Sequence, residues 1–188
     1  VITIDPKFVD AYNNRGLTKY HIKDYKGAID DYNKALSIDS KYANAYYNRG
    51  IANDKLSNYT DVIDDCTQYI SLQPKDADGY YRRANAKFNL EDYKNALEDY
   101  NTTLSLDPQY TDAYMNRGLS KRNLNDNKGA IEDYTKTIAL DPKYADAFNN
   151  RGYAEHLIND DTSACADFKK ALELGSEYAA GNISNYCK

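Results

Sequence analysis

Small and aromatic side chains recur along this chain at helical spacing, and the whole pattern then recurs as a block. The segment Ala11-Tyr12-Asn13-Asn14-Arg15-Gly16 returns as Ala45-Tyr46-Tyr47-Asn48-Arg49-Gly50 and as Gly79-Tyr80-Tyr81-Arg82-Arg83-Ala84. It returns again as Ala113-Tyr114-Met115-Asn116-Arg117-Gly118 and Ala147-Phe148-Asn149-Asn150-Arg151-Gly152, always after 34 residues. Within the first copy, Tyr12, Gly16 and Tyr20 mark one helical face. After a turn at Lys23-Asp24, the residues Tyr25, Ala28, Ile29, Tyr32, Ala35 and Leu36 form an i, i+3, i+4, i+7 stripe. Prolines at 74, 108 and 142 close the second helix of most copies, because proline cannot continue a helix interior. Each copy therefore predicts two helices of about 14 residues, roughly 21 Å long.

The predicted units run over residues 9–42, 43–76, 77–110, 111–144 and 145–178. Residues 1–8 match the last turn of a repeat, since Val1-Ile2-Thr3-Ile4-Asp5-Pro6 parallels Thr103-Leu104-Ser105-Leu106-Asp107-Pro108. The chain is thus expected to be cut from something longer. Residues 179–188 read as a capping helix, with Tyr178, Ile183 and Tyr186 on its buried side and Lys188 as the expected end of the protein. Gly16 with Ala28 and Ala35 lets paired helices approach closely. Aromatic, Gly, Tyr, Ala, aromatic, Ala and Pro at a 34-residue period resemble the tetratricopeptide repeat (TPR) family. The resemblance implies an all-α, right-handed superhelical solenoid of five helix–turn–helix repeats plus the cap, with the first (A) helix of each repeat lining the concave face. The closing sequence, Ala164-Cys165-Ala166-Asp167-Phe168 through Asn185-Tyr186-Cys187-Lys188, is similar to the ends of repeat proteins from Bacteroidetes bacteria.

Departures from the pattern mark expected weak points. Tyr69 stands where other units carry Ala35 or Ala171 and should push the second and third units apart. Asn127 and Asp161 replace the tyrosine of Tyr25, Tyr59 and Tyr93, and Ser40 and Ser176 replace the stop proline.

Composition agrees with many small helical seams rather than one thick core: 20 Tyr, 4 Phe, no Trp, 9 Gly and 4 Pro. No stretch is long and apolar enough for membrane insertion. The net charge of −5, with Lys and Arg scattered singly, argues against nucleic acid. The compartment stays open between cytoplasm and periplasm, since any signal would lie upstream. The three cysteines form no C-x-x-C pair, so no metal site is expected. Cys66 takes the place of Tyr32, Tyr100, Tyr134 and Phe168 and reads as core filler. Cys165 and Cys187 lie close enough in the last unit to meet, and two buried thiols are favoured over a disulfide.

Two charged positions repeat in every unit. Arg15, Arg49, Arg83, Arg117 and Arg151 precede the small residue of helix A, and Asp31, Asp65, Asp99, Asp133 and Asp167 follow 16 residues later. A buried unpaired arginine is costly, so ion pairs are expected, either within a unit or from Asp31 to Arg49 between neighbours. The competing reading is an arginine ladder gripping an acidic ligand.

Carrying the family's groove over residue by residue gives Asn13, Asn14 and Leu17 in the first unit and Tyr47, Asn48 and Ile51 in the second. Tyr81, Arg82, Asn85 and Phe88 follow in the third, with Met115, Asn116, Leu119 and Arg122 in the fourth. Asn149, Asn150, Tyr153 and His156 complete the set. A row of asparagines can pair with the amides of an extended peptide, or with local groups. Some relatives clamp a chaperone's C-terminal carboxylate with Lys, Asn, Asn, Lys and Arg. Here Asn85 and Asn116 match, but Tyr81 and Asp146 replace the lysines, and Asp10, Asp78 and Asp112 repeat the acid. That ligand is not expected.

No catalytic constellation or cofactor motif appears, and His21 and His156 lie four repeats apart. The expectation is a non-catalytic scaffold for a protein or peptide partner. Self-association through the cut N-terminal repeat, or service as the recognition arm of a larger enzyme, is the alternative.

Overall fold

The computed structural model describes residues 8–187. The parallel drawn for residues 1–8 and the self-association expected there therefore fall, apart from Phe8, outside the described residues. Those described form eleven α-helices and no strand. They form two compact units, which meet in the chain between Glu91 and Asp92.

The first unit contains α1 (Val9–His21), α2 (Tyr25–Ile38), α3 (Ala43–Lys55), α4 (Tyr59–Leu72) and α5 (Ala77–Asn89). Successive helices pack in sequence order, and α1 also touches α3. The second contains α6 (Tyr93–Leu106), α7 (Thr111–Asn123), α8 (Asn127–Leu140), α9 (Ala145–Leu157), α10 (Asp161–Glu173) and the short α11 (Ala179–Tyr186). There α7 touches α9, and α11 packs on α10 and α9. The odd-numbered helices up to α9 are the A helices.

The hairpin turns have a common chemistry. Lys23, Ser57, Glu91, Asn125 and Asn159 all adopt positive φ, between 58° and 65°. The next residue caps the following helix: Asp24, Asp126 and Asp160 accept from the amides of Gly27, Gly129 and Ser163 at 3.0–3.1 Å. At the other end, Asp39, Asp107 and Asp141 accept from the amide two residues on, each at 2.9 Å. Ser40 makes the same turn without the proline, because the Asp39 carboxylate organises it.

The cores are small seams, as the composition implies. One gathers Ala28, Tyr32, Ala35, Ala45 and Ala52, another Met115, Ala130, Tyr134, Ala147 and Ala154. A Cβ on Gly16 would lie 2.5 Å from Tyr32 Cε1, so the ring occupies the space that glycine leaves. Cys66 fills the equivalent place in the next hairpin and leaves Gly50 room: its nearest contacts would be 3.4 and 3.8 Å.

Three expectations need correction. Tyr69 does not force its neighbours apart, because Gly79 stands where other units carry alanine and receives the ring. Tyr178 is 68% exposed rather than buried, since α11 begins only at Ala179 and the turn through Gly175, at φ +90°, leaves the ring outside. Cys165 and Cys187 are joined in a disulfide, not two thiols. The turn after α10 folds α11 back until the two Cα atoms are 5.6 Å apart, inside the range a disulfide spans. Cys66 remains a buried thiol, pushed up to about 12 by burial.

Candidate functional site: the A-helix face

In the first unit, α3 and α5 bring Ile51, Asp54, Arg82 and Asn85 around a small cavity of about 40 Å³. In the second, Met115, Leu119 and Arg122 of α7 face Asn149, Asn150 and Tyr153 of α9 across an open cleft of about 430 Å³. Tyr178 and Asn182, which the sequence did not single out for the site, close one side of it. Their signal was only that the cap follows α10 in the chain, where a next A helix would stand.

Much of the asparagine row is turned to internal use. Asn48 donates to Asn13 at 2.9 Å, and both belong to touching A helices. Asn150 accepts from Arg122 at 3.0 Å and donates to the Asp146 carbonyl at 2.8 Å. Asn182 donates to Asn149 at 2.8 Å. Asn13 and Asn149 are buried: Asn13 is turned to Asn48 of α3, and Asn149 to Asn182 of the cap while still lining the cleft. Met115 is buried in its hairpin core and reaches the cleft only as floor. Asn14 is exposed, Leu17, Tyr81 and Asn116 are half-buried, and Asn116 gives its carbonyl to Ser120.

Tyr47 is engaged by its neighbours. Its ring stacks 5.0 Å from Tyr69, its hydroxyl donates to Asp78, and Arg82 lies 4.8 Å above it. Arg82 donates to Asp78 at 2.9 Å and to the Tyr47 oxygen at 3.0 Å. Burial and the Asp78 bond push the Tyr47 phenol up to about 12. The one non-asparagine in the row thus makes a contact equivalent to Asn48 on Asn13, with a charge added. Arg122 is different: it lies 5.5 Å over the Tyr153 ring and bonds Asn150, leaving a cation beside apolar surface in the cleft.

The arginine–aspartate pairs contained in one unit close within the repeat. Arg15 meets Asp31, Arg49 meets Asp65, Arg117 meets Asp133 and Arg151 meets Asp167, all through two guanidinium nitrogens. The third nitrogen reaches back into the preceding repeat, to Asn33, Thr67, Asn101 and Thr135, from Arg49, Arg83, Arg117 and Arg151. Each guanidinium also lies 5.4–5.7 Å from the ring three residues before it, Tyr12, Tyr46, Tyr80, Tyr114 or Phe148. An arginine so occupied is a rivet between helices. The partners two residues after each aspartate were missed, although they recur at the same 34-residue step.

A further position tunes these pairs. Burial would raise the Asp31 carboxyl, but Arg15 and Lys19 together hold it below its ordinary value. Asp65 has the neutral Asn53 in place of that lysine, and there burial outweighs Arg49 and raises it. Among the described residues no group of three or more His, Cys, Asp or Glu side chains is placed to hold a metal. No helix among them is long and apolar enough to cross a membrane.

The tetratricopeptide-repeat profile matches residues 9–42 and 77–110, and a second TPR profile matches residues 118–158. The chain belongs to the tetratricopeptide-repeat family. A crystal structure of the MamA protein is 27% identical over 92% of this chain and 94% of that one, with a TM-score of 0.85. MamA from Desulfovibrio magneticus RS-1 shares the fold at 21% identity, covering 88% and 94% of the two chains, with a TM-score of 0.85. So does YrrB, a TPR protein with an unusual peptide-binding site, at 23% identity over 98% and 95%, again with a TM-score of 0.85. No curated protein sequence matches the chain. The TPR architecture is thereby an all-α stack of helical hairpins of the kind used as protein-interaction scaffolds.

Proposed function

We propose that this chain is a non-catalytic scaffold that holds an extended segment of a protein partner against its A helices. The observation that carries the reading is the open cleft between α7 and α9, where Leu119 and Tyr153 present apolar surface beside Arg122 and the Asn150 amide. Such a site suits a segment with an apolar side chain for the cleft and backbone or acidic groups for the polar edge. Two further points support it: membership of the TPR family, and the peptide-binding site of YrrB, which has the same fold. The net charge of −5 disfavours a nucleic acid in that place. Catalysis finds no support, because His21 and His156 belong to different compact units and His156 is held by Asp161.

The test is selection of peptides from a random library on the wild-type chain, followed by titration against Leu119→Ala and Tyr153→Ala. Either change should weaken a selected peptide about tenfold or more, as removal of an interface anchor does. Peptides bound equally by all three proteins would overturn the reading.

A further inference from the structure

Four residues after each of these arginines stand Lys19, Asn53, Lys87, Lys121 and Glu155. Lys19 reaches Asp31 and Lys121 reaches Asp133, each at 2.9 Å, so those aspartates face two cations. Glu155 reverses the sign. Arg151 alone must serve Asp167, at 2.6 Å, and Glu155, whose Oε1 lies 3.9 Å from the Arg151 Nε. The other oxygen, Oε2, is buried and has no hydrogen-bond partner among the described residues. The whole side chain is only 12% exposed.

Two carboxylates sharing one guanidinium in a seam leave one negative charge uncompensated, which is costly away from water. A metal ion or a partner's ammonium would have to reach Oε2, and solvent itself does not. A proton needs no such access route of its own size. We propose that Glu155 and Asp167, sharing Arg151, form a proton-binding site that closes the last hairpin, α9–α10, more firmly as pH falls through neutrality.

The surrounding groups favour this. Burial and then the charge of Asp167 raise the Glu155 carboxyl from 4.5 to about 7; Asp160 acts in the same direction and Arg151 against it. From α8 the Thr135 hydroxyl accepts a hydrogen bond from Arg151, and α11 carries no charged side chain. His156, the next residue of α9, is engaged by Asp161 at 2.6 Å. The proton comes from water and goes to the Glu155 carboxylate, after which Arg151 and Asp167 balance. Between about 4.5 and about 7 the folded state holds this proton while the unfolded chain has lost it, so stability falls as pH rises through that window.

The test follows the Glu155 side-chain carboxyl by carbon-13 NMR in the full chain, beside thermal unfolding of wild type, Glu155→Gln and Glu155→Lys. A titration midpoint near 7 is expected, and one near the ordinary 4.5 would overturn the proposal. Glu155→Gln, a neutral isostere, should lose part of the wild-type fall in melting temperature between about pH 5 and about pH 8. Glu155→Lys, which restores the residue of α1 and α7, should raise the melting temperature most on the alkaline side. Identical pH profiles for wild type and Glu155→Gln would also overturn it.

Discussion

The ring of Tyr69 lies where a side chain on Gly79 would have to be: a Cβ there would stand 2.8 Å from Tyr69 Cδ1 and 3.1 Å from Ile70 Cγ1. Every other unit carries alanine at the second position and alanine or threonine at the first. The two departures compensate each other, and Tyr69 gains a hydroxyl bond to Asp76 at the start of α5. Gly79→Ala alone should cost about 1–3 kcal/mol through overpacking. In a Tyr69→Ala background the same change should be neutral or favourable. A double-mutant cycle by urea unfolding checks this, and additive effects would show that the two residues do not share the space.

The ladder arginines should differ in cost according to what remains beside the aspartate. Arg49→Leu strips Asp65 of its only described cation and leaves the neutral Asn53. Arg117→Leu leaves Lys121 on Asp133 at 2.9 Å. Loss of one partner of a buried pair costs about 3–5 kcal/mol, and the Arg49 change should fall at the high end and the Arg117 change clearly below it. Equal losses in chemical denaturation would count against the electrostatic account. Peptide affinity is the independent check, because an arginine that rivets helices should not alter it in the folded variant.

Two of the helix-A glycines, Gly50 and Gly118, should respond oppositely to alanine. A Cβ on Gly118 would lie 2.6 Å from Tyr134 Cε1, whereas on Gly50 it would meet nothing closer than 3.4 Å, because Cys66 is smaller than tyrosine. Gly50→Ala then gains the helix preference of alanine, up to about 1 kcal/mol. Gly118→Ala must displace a packed ring and should lose about 1–3 kcal/mol. Melting temperatures of the two variants decide the matter.

The 34-residue period made the hairpins legible, because glycine, aromatic and alanine positions each have one packing solution in a helix pair. That these arginines pair with aspartates was legible for the same reason: Arg15 and Asp31 recur together and a buried charge needs its counterion, but whether the partner lay in the same repeat or its neighbour was not. What stayed hidden depends on the third dimension. Asn48 and Asn150 look like free peptide binders in sequence, yet they meet Asn13 and Arg122 because neighbouring A helices touch. Gly79 reads as one more small residue until it is set against Tyr69. The meeting of Cys165 and Cys187 depends on how sharply the chain turns at Gly175, and a lone glycine does not announce that direction.

The disulfide should act locally, on the cap. It joins residues 22 apart and fastens α11 to α10, where Tyr186 also stacks 4.2 Å from His156 and Asn182 bonds Asn149. Closing a loop of this length is worth about 3 kcal/mol in the chain-entropy account, more than the remaining contacts of an eight-residue helix can replace. Reduction by a dithiol, or Cys187→Ser, should therefore release α11 while α9 and α10 stay folded. Hydrogen exchange reads this directly: the amides of α11 should lose protection, and those from Ala147 to Gly152 and Ala164 to Ala171 should keep most of theirs. Protection lost together across all three helices would mean instead that the last hairpin depends on its cap to fold.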